Sequence, residues 1–199
     1  MDNLAYIDEY REELLDGKII CMAPPFVNHN IVTGNIFILF KKYFKGKPCE
    51  AFTNWGYVHF SKKDNVIPDV MVICKKDIIK RDGIYGTPDL IIEVLSPSTA
   101  KNDRGYKKNL YEKHGIGEYW IVEPDACTVE VYYLKEKTYI LDDVYSFIPG
   151  YNEEKMINFN DEEKKKNIRS LLFHDMEILL DDVFSNRYYY EVRFVRDIV

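Results

Sequence analysis

The sequence predicts an α/β fold, a mixed sheet flanked by helices, on three observations. Apolar residues recur at helical spacing over residues 28–44. Short apolar runs bounded by Asp, Gly or Pro follow. Between residues 89 and 123 a strand, a helix and a second strand succeed one another, a βαβ step that favours a parallel pair. With 199 residues, 46% of them hydrophobic and 15% aromatic, there is material for one sizeable core and little for two, so a single domain over residues 1–199 is expected.

Residues 4–15 predict a short helix stopped by Asp16-Gly17, and KIICMA after them a strand closed by Pro24-Pro25. The helix over 28–44 carries Ile31, Val32, Ile36, Ile38, Leu39 and Phe40 and ends at Gly46 and Pro48. Strands are expected over 51–60, 68–74 and 89–95. Ser96-Pro97 breaks the third, and Ser98 or Thr99 caps a helix over 101–114 that stops at Gly115. EYWIVE (118–123) and TVEVYYL (128–134) are strands joined by the turn pair Pro124-Asp125. A further strand pair is expected near 139–145 and 170–172, then the segment LLDDVF, while residues 159–167 read as a polar loop. From Asn186 onward helix and strand are equally open.

The net charge of −6 and the pI near 5.3 argue against tight binding of nucleic acid by bulk electrostatics, which needs clustered Lys and Arg. Basic runs at 75–81, 101–108 and 164–166 leave a local strip open, although such runs first read as solvated faces. Cys21, Cys49, Cys74 and Cys127 have no metal-ligand spacing and do not read as a disulfide scaffold, which fits a reducing cytoplasm. The acidic N-terminus and the lack of any apolar run near the ~20 residues needed to span a bilayer predict a cytoplasmic protein with no membrane partner.

The chemistry concentrates in PDVMVICKKDIIKRDGIYGTPDLIIEVLSPST. A carboxylate inside LIIEVL is costly unless it is paired, hydrogen-bonded or holding a metal. Alternation puts Asp89, Ile91 and Glu93 on one face. If the strands of Asp69 and Glu93 pair, both acids reach one oxygen-loving cation, Mg²⁺ or Mn²⁺, able to activate water and neutralise a phosphoryl oxygen. Asp69 and Asp89 also read as solvated strand openers, Asp89 as readily as it reads as a site acid. On the next helix Lys107 or Lys108 would supply the cation facing a phosphate, and Lys107 shares a face with Tyr111 four residues on. A glycosidase pair of Asp89 and Glu93 is excluded, because side chains four residues apart on one strand lie ~13 Å apart and point the same way, which leaves them unable to flank a sugar.

These motifs resemble the Uma2 (DUF820) family of endonucleases within the PD-(D/E)XK superfamily. The matching text is EELLDGKIICMAPP with His29, then IPDVMVI, GTPDLIIEVLSPST, DRGYKKNLYEKHGIGEYWIVEP and SLLFHDMEILLDDVF, about residues 12–184. The resemblance implies a restriction-endonuclease-like fold and a metal-dependent phosphodiesterase acting on nucleic acid, DNA above all. It carries the family's acids onto Asp69 and Glu93, its helix lysine onto Lys107, a further carboxylate onto Glu13 and a recurrent histidine onto His29. The superfamily lysine two residues after the acid is replaced by Leu95, so Lys107 is expected to stand in for it. That departure keeps a second reading open, a catalytically inactive nuclease fold serving binding or assembly. The tyrosine-rich tail is a candidate surface for a homodimer.

Overall fold

The computed structural model describes residues 11–54, 56–146 and 167–188. Strands β1 (Glu12–Leu15) and β2 (Lys18–Cys21) form a hairpin. Then come α1 (Val27–Phe44), β3 (Glu50–Thr53), β4 (Tyr57–His59), β5 (Asn65–Val66) and β6 (Val70–Ile73). A short 3-10 turn leads to β7 (Gly83–Ile84) and β8 (Leu90–Val94). A continuous helical run follows, made of α2 (Ala100–Asn102), a π-helical turn (Asp103–Lys107) and α3 (Lys108–His114). Gly115 ends it at φ +79, a left-handed stop that glycine takes without strain. Strands β9 (Glu118–Glu123), β10 (Thr128–Lys135), β11 (Thr138–Ser146), β12 (Asn167–Arg169) and β13 (Glu177–Leu179) precede α4 (Leu180–Val183).

The central sheet has the order β11-β10-β9-β8-β6-β3, all antiparallel except β8 beside β9. That parallel pair is the βαβ step expected from the sequence. Strand alternation divides the core. Leu90, Ile92 and Val94 pack with Trp120 and with Val32, Ile36 and Phe40 of α1. On the other face Ile91 and Leu95 pack with Leu110 and Tyr111 of α3. The sheet is thus flanked by helices on both faces. A five-stranded sheet, β2-β1-β5-β4-β7, and the β12-β13 pair complete the described structure.

Four expectations are corrected. Residues 12–15 form a strand rather than the end of a helix; Asp16 (φ +50) and Gly17 (φ +75) make the two-residue turn that favours an Asp-Gly hairpin. Residues 1–10 lie outside the described residues. The strand expected over 51–60 is two strands in two sheets, broken where Asn54 turns left-handed at φ +42. Strand β11 pairs with β10, whereas 170–172 is a bend whose groups bind Glu118, the neighbouring strand being β12. Cys49 and Cys74 form a disulfide, because the β3–β6 register sets them opposite one another just past Glu50 and Ile73. The loop expected at 159–167 and the tail from Tyr189 fall outside the described residues, apart from Asn167 in β12.

Glu118 opens β9 fully buried and accepts four hydrogen bonds, from Trp120 Nε1 (2.6 Å), Ser170 Oγ (2.9 Å) and the Leu171 and Leu172 N–H groups (3.1 and 3.0 Å). It fastens the 170–172 bend to the central sheet. Glu118→Ala leaves these donors unpaired and is expected to cost about 3 kcal/mol or more, read as a lower urea midpoint at unchanged slope. Wild-type stability in the variant would show the clamp to be idle.

Candidate active site

Antiparallel pairing of β6 with β8 sets Val70 opposite Ile92 and Met71 opposite Ile91, which brings Asp69, just before β6, beside Glu93 late in β8. The two acids are tied through the backbone: Val94 N–H donates to Asp69 Oδ2 at 2.8 Å and Asp69 N–H to Glu93 Oε2 at 3.4 Å. Both are nearly sealed, at 6% and 2% exposure. His29, in the first turn of α1, places Nε2 3.2 Å from Asp69 Oδ2.

The helix after β8 crosses the face that carries Glu93 and Leu95. Lys107, 2% exposed, directs Nζ to Glu13 Oε1 (2.9 Å), Glu93 Oε1 (3.2 Å) and Asp103 Oδ1 (3.3 Å). Tyr111, one turn on, donates to Glu93 Oε1 at 2.6 Å. Glu13 reaches the cluster because β1 alternation turns it inward, where it also accepts from Ile67 N–H at 2.8 Å. The structure therefore brings Asp69, Glu93, Lys107, Glu13, His29 and Tyr111 together. Asp89 stays apart, its Oδ2 accepting from Cys74 N–H at 2.7 Å. Leu95 faces the core beside α3, and the amine that Leu95 lacks arrives from the helix packed over it.

Asp103, four residues before Lys107, is not among the site residues marked by the sequence. It is 1% exposed and pairs with that lysine, and the signal that could have found it is the same four-residue spacing. Both lie on a π-helical turn, a feature that occurs often at functional sites. Ser96 and Thr99 join in a turn through Oγ–Oγ1 contact at 3.1 Å, the local role expected of Ser96.

Three buried carboxylates thus face one ammonium, with Asp69 beside Glu93. Burial works against the charge of Lys107, but Glu93, Glu13 and Asp103 overcome it and hold the amine well above the usual lysine value. Burial first, then the like charges of Asp103, Asp69 and Glu13, push Glu93 well above the ordinary glutamate range against the pull of Lys107. Asp103 is raised chiefly by burial. Burial is the largest single influence on His29 and lowers it, but the hydrogen bond and charge of Asp69, the charge of Asp103 and the Val94 backbone together hold it above the usual histidine value.

Asp69, Glu93, Asp103 and Lys107 line a cavity of about 390 Å³, whose mouth carries Arg11 and Asn54. Hard carboxylate oxygens suit Mg²⁺ or Mn²⁺. Among the described residues no three His, Cys, Asp or Glu side chains form a metal-binding group. The donor set therefore fits a cation held by two carboxylates that keeps much of its water, and it does not fit a closed protein cage.

The model of the Uma2 family, described as "Putative restriction endonuclease", matches residues 3–157. The chain belongs to the Uma2 family. Two Synechocystis relatives are similar: "Uncharacterized protein slr1290", 30% identical over 62% of this chain and 66% of its own length, and "Uncharacterized protein sll1609", 29% identical over 61% and 71%. The chain thus spans just under two thirds of the first relative. A crystal structure from Anabaena variabilis, of "a putative nuclease belonging to DUF820", superposes with TM-score 0.66 over 89% of this chain and 91% of that one. At 22% identity that likeness speaks for the fold, and the Uma2 chain studied here shares its mixed α/β architecture.

Proposed function

We propose that this Uma2 protein is an endonuclease that hydrolyses phosphodiester bonds in DNA with the help of Mg²⁺ or Mn²⁺. One observation carries the reading: Asp69 and Glu93, from neighbouring strands, meet a buried lysine at the floor of one open cavity. A bound divalent cation would supply Lewis acidity and a water acidic enough to attack at neutral pH. Asp69 and Glu93 would hold it. The Lys107 ammonium, 3.2 Å from Glu93, orients the attacking water or offsets negative charge growing on the phosphoryl oxygens. Tyr111 and Glu13 fix Glu93 and Lys107 from behind, and His29 fixes Asp69. Family membership as a described restriction endonuclease supports the same reaction class.

The test is plasmid cleavage with and without Mg²⁺. Glu93→Ala is expected to abolish nicking, and cleavage that survives in both Glu93→Ala and Lys107→Ala would sink the assignment. The competing reading, a fold retained for binding or assembly, draws on Leu95 in the usual lysine position; Mn²⁺ titration by calorimetry separates the two, because a site that has lost its chemistry should not take up the ion. A cytoplasmic location stays a proposal whose reducing-compartment argument the Cys49–Cys74 disulfide removes; among the described residues no helix is long and apolar enough to cross a membrane. The tail suggested as a dimer surface lies beyond the described residues.

A further inference from the structure

We infer that the cavity takes a single, unpaired nucleic-acid strand, with Arg11, Asn30 and Asn54 as its polar grips and Pro24-Pro25 as a wall for a base. This rests on the nuclease reading and names the form of substrate that reading leaves open. The three polar residues come from three places in the fold: Arg11 precedes β1, Asn30 lies in the first turn of α1, and Asn54 follows β3. All three line the cavity that contains Asp69 and Glu93. Among the described residues, none of their side chains is held by another group, so each is available to a ligand.

Asn54 carries the argument furthest. It adopts a left-handed backbone at φ +42, a conformation that asparagine takes more readily than most residues other than glycine. Its own N–H donates to the Asp69 carbonyl at 3.3 Å, and Thr53 Oγ1 donates to the same oxygen at 2.9 Å. The backbone of Asn54, from which its side-chain amide projects, is thereby fixed relative to the backbone of a proposed metal ligand. Met22 and Pro24-Pro25 supply apolar lining to the same cavity.

Charge decides between one strand and two. A protein that holds a duplex by its phosphates makes roughly 6–10 cationic contacts. Of the cations lining this cavity, Lys107 is engaged by three carboxylates, which leaves Arg11. The exposed basic run beginning at Lys75 lies past the end of β6 remote from Asp69, and none of its residues lines the cavity. A single strand asks for less cationic charge. Its unpaired bases expose faces that can lie against an apolar wall or the Arg11 guanidinium plane, and base edges that accept amide donors. At about 390 Å³ the cavity is of the size that holds one small-molecule-sized group, such as a nucleotide.

The experiment uses the full chain with Ca²⁺ in place of Mg²⁺, and follows the fluorescence anisotropy of a short labelled oligonucleotide, single or annealed to its complement. The single strand is expected to bind about tenfold tighter or more, the worth of taking one exposed base face out of water against the apolar wall. Its log affinity should fall against log salt with a slope of about −0.7, that of one neutralised phosphate. Asn54→Gly keeps the left-handed backbone and removes the amide. Its melting temperature should therefore hold while binding weakens about fivefold, the loss of one hydrogen bond. Duplex bound as tightly as single strand, or wild-type binding by Asn54→Gly, overturns the inference. If Mg²⁺-dependent cleavage acts on duplex and spares single strands, this inference falls and the nuclease reading stands; if neither form is bound or cut, both fall.

Discussion

Lys107→Met is expected to abolish cleavage, to destabilise the metal-free protein, and to strengthen Mn²⁺ binding. The three effects share one origin. Lys107 is 2% exposed and lies within 3.3 Å of Glu13, Glu93 and Asp103. Methionine fills nearly the same space without the charge, so packing is preserved while the carboxylates lose their counter-ion. Removing one partner of a buried pair costs on the order of 3–5 kcal/mol, which predicts a markedly lower melting temperature. The same carboxylates then attract a divalent cation with no ammonium competing for Glu93. Unit charges a few ångströms apart interact by about 4 kcal/mol even at intermediate polarity, so affinity should rise about tenfold or more by calorimetry and Mn²⁺ should restore much of the lost melting temperature. Cleavage should nonetheless fall at least about 100-fold, the usual effect of removing one preorganised donor. Parallel loss of metal affinity and cleavage would instead make Lys107 a structural prop, and retained cleavage would remove it from the mechanism.

The parts of this site that were legible in the sequence are those where burial and charge conflict. Glu93 stands out because four apolar neighbours leave a carboxylate no solvent; the need for a cation on the next helix left Lys107 and Lys108 open, and the family resemblance marked Lys107. The parallel β8–β9 pair was legible from element order, since a helix between two strands leaves few other connections. Asp103 was missed because an acid on a helix ordinarily faces water; only the packing of the π-turn against the sheet buries it. The β1–β2 hairpin was missed because EELL suits a helix locally, and strand pairing across Asp16-Gly17 overrides that preference. Cys49 and Cys74 are 25 residues apart, and nothing short of the β3–β6 register places them together. Glu13 shows both sides: the resemblance marked its position, but expected it on a helix, and it reaches Lys107 through the alternation of a strand.

Divalent metal should stabilise the protein more as pH rises. Glu93 and Asp103 carry folded-state values above those of the unfolded chain, and His29 does too. A group whose value is raised on folding contributes stability that is fully present below its unfolded value and is lost as pH climbs through its folded value. For the two acids that loss begins above the usual carboxylate range, and for His29 above its ordinary 6.5. All three therefore weaken the metal-free fold as pH rises, because deprotonation strips the cluster of the protons that temper its repulsion. Lys107, held protonated beyond the usual lysine value, does not change charge in this window. A cation bound by Asp69 and Glu93 must displace the proton on Glu93, so each pH unit below the folded value of Glu93 should weaken Mn²⁺ about tenfold, worth about 1.4 kcal/mol. Melting temperatures measured with and without Mn²⁺ should accordingly diverge from mildly acidic to mildly alkaline pH: the metal-free midpoint falls while the metal-bound midpoint holds. In Glu93→Gln the competing proton is gone, so the steep dependence should flatten as overall affinity drops. If the gap between the two midpoints is the same at every pH, or if Glu93→Gln keeps the wild-type slope, the ion does not bind through Glu93.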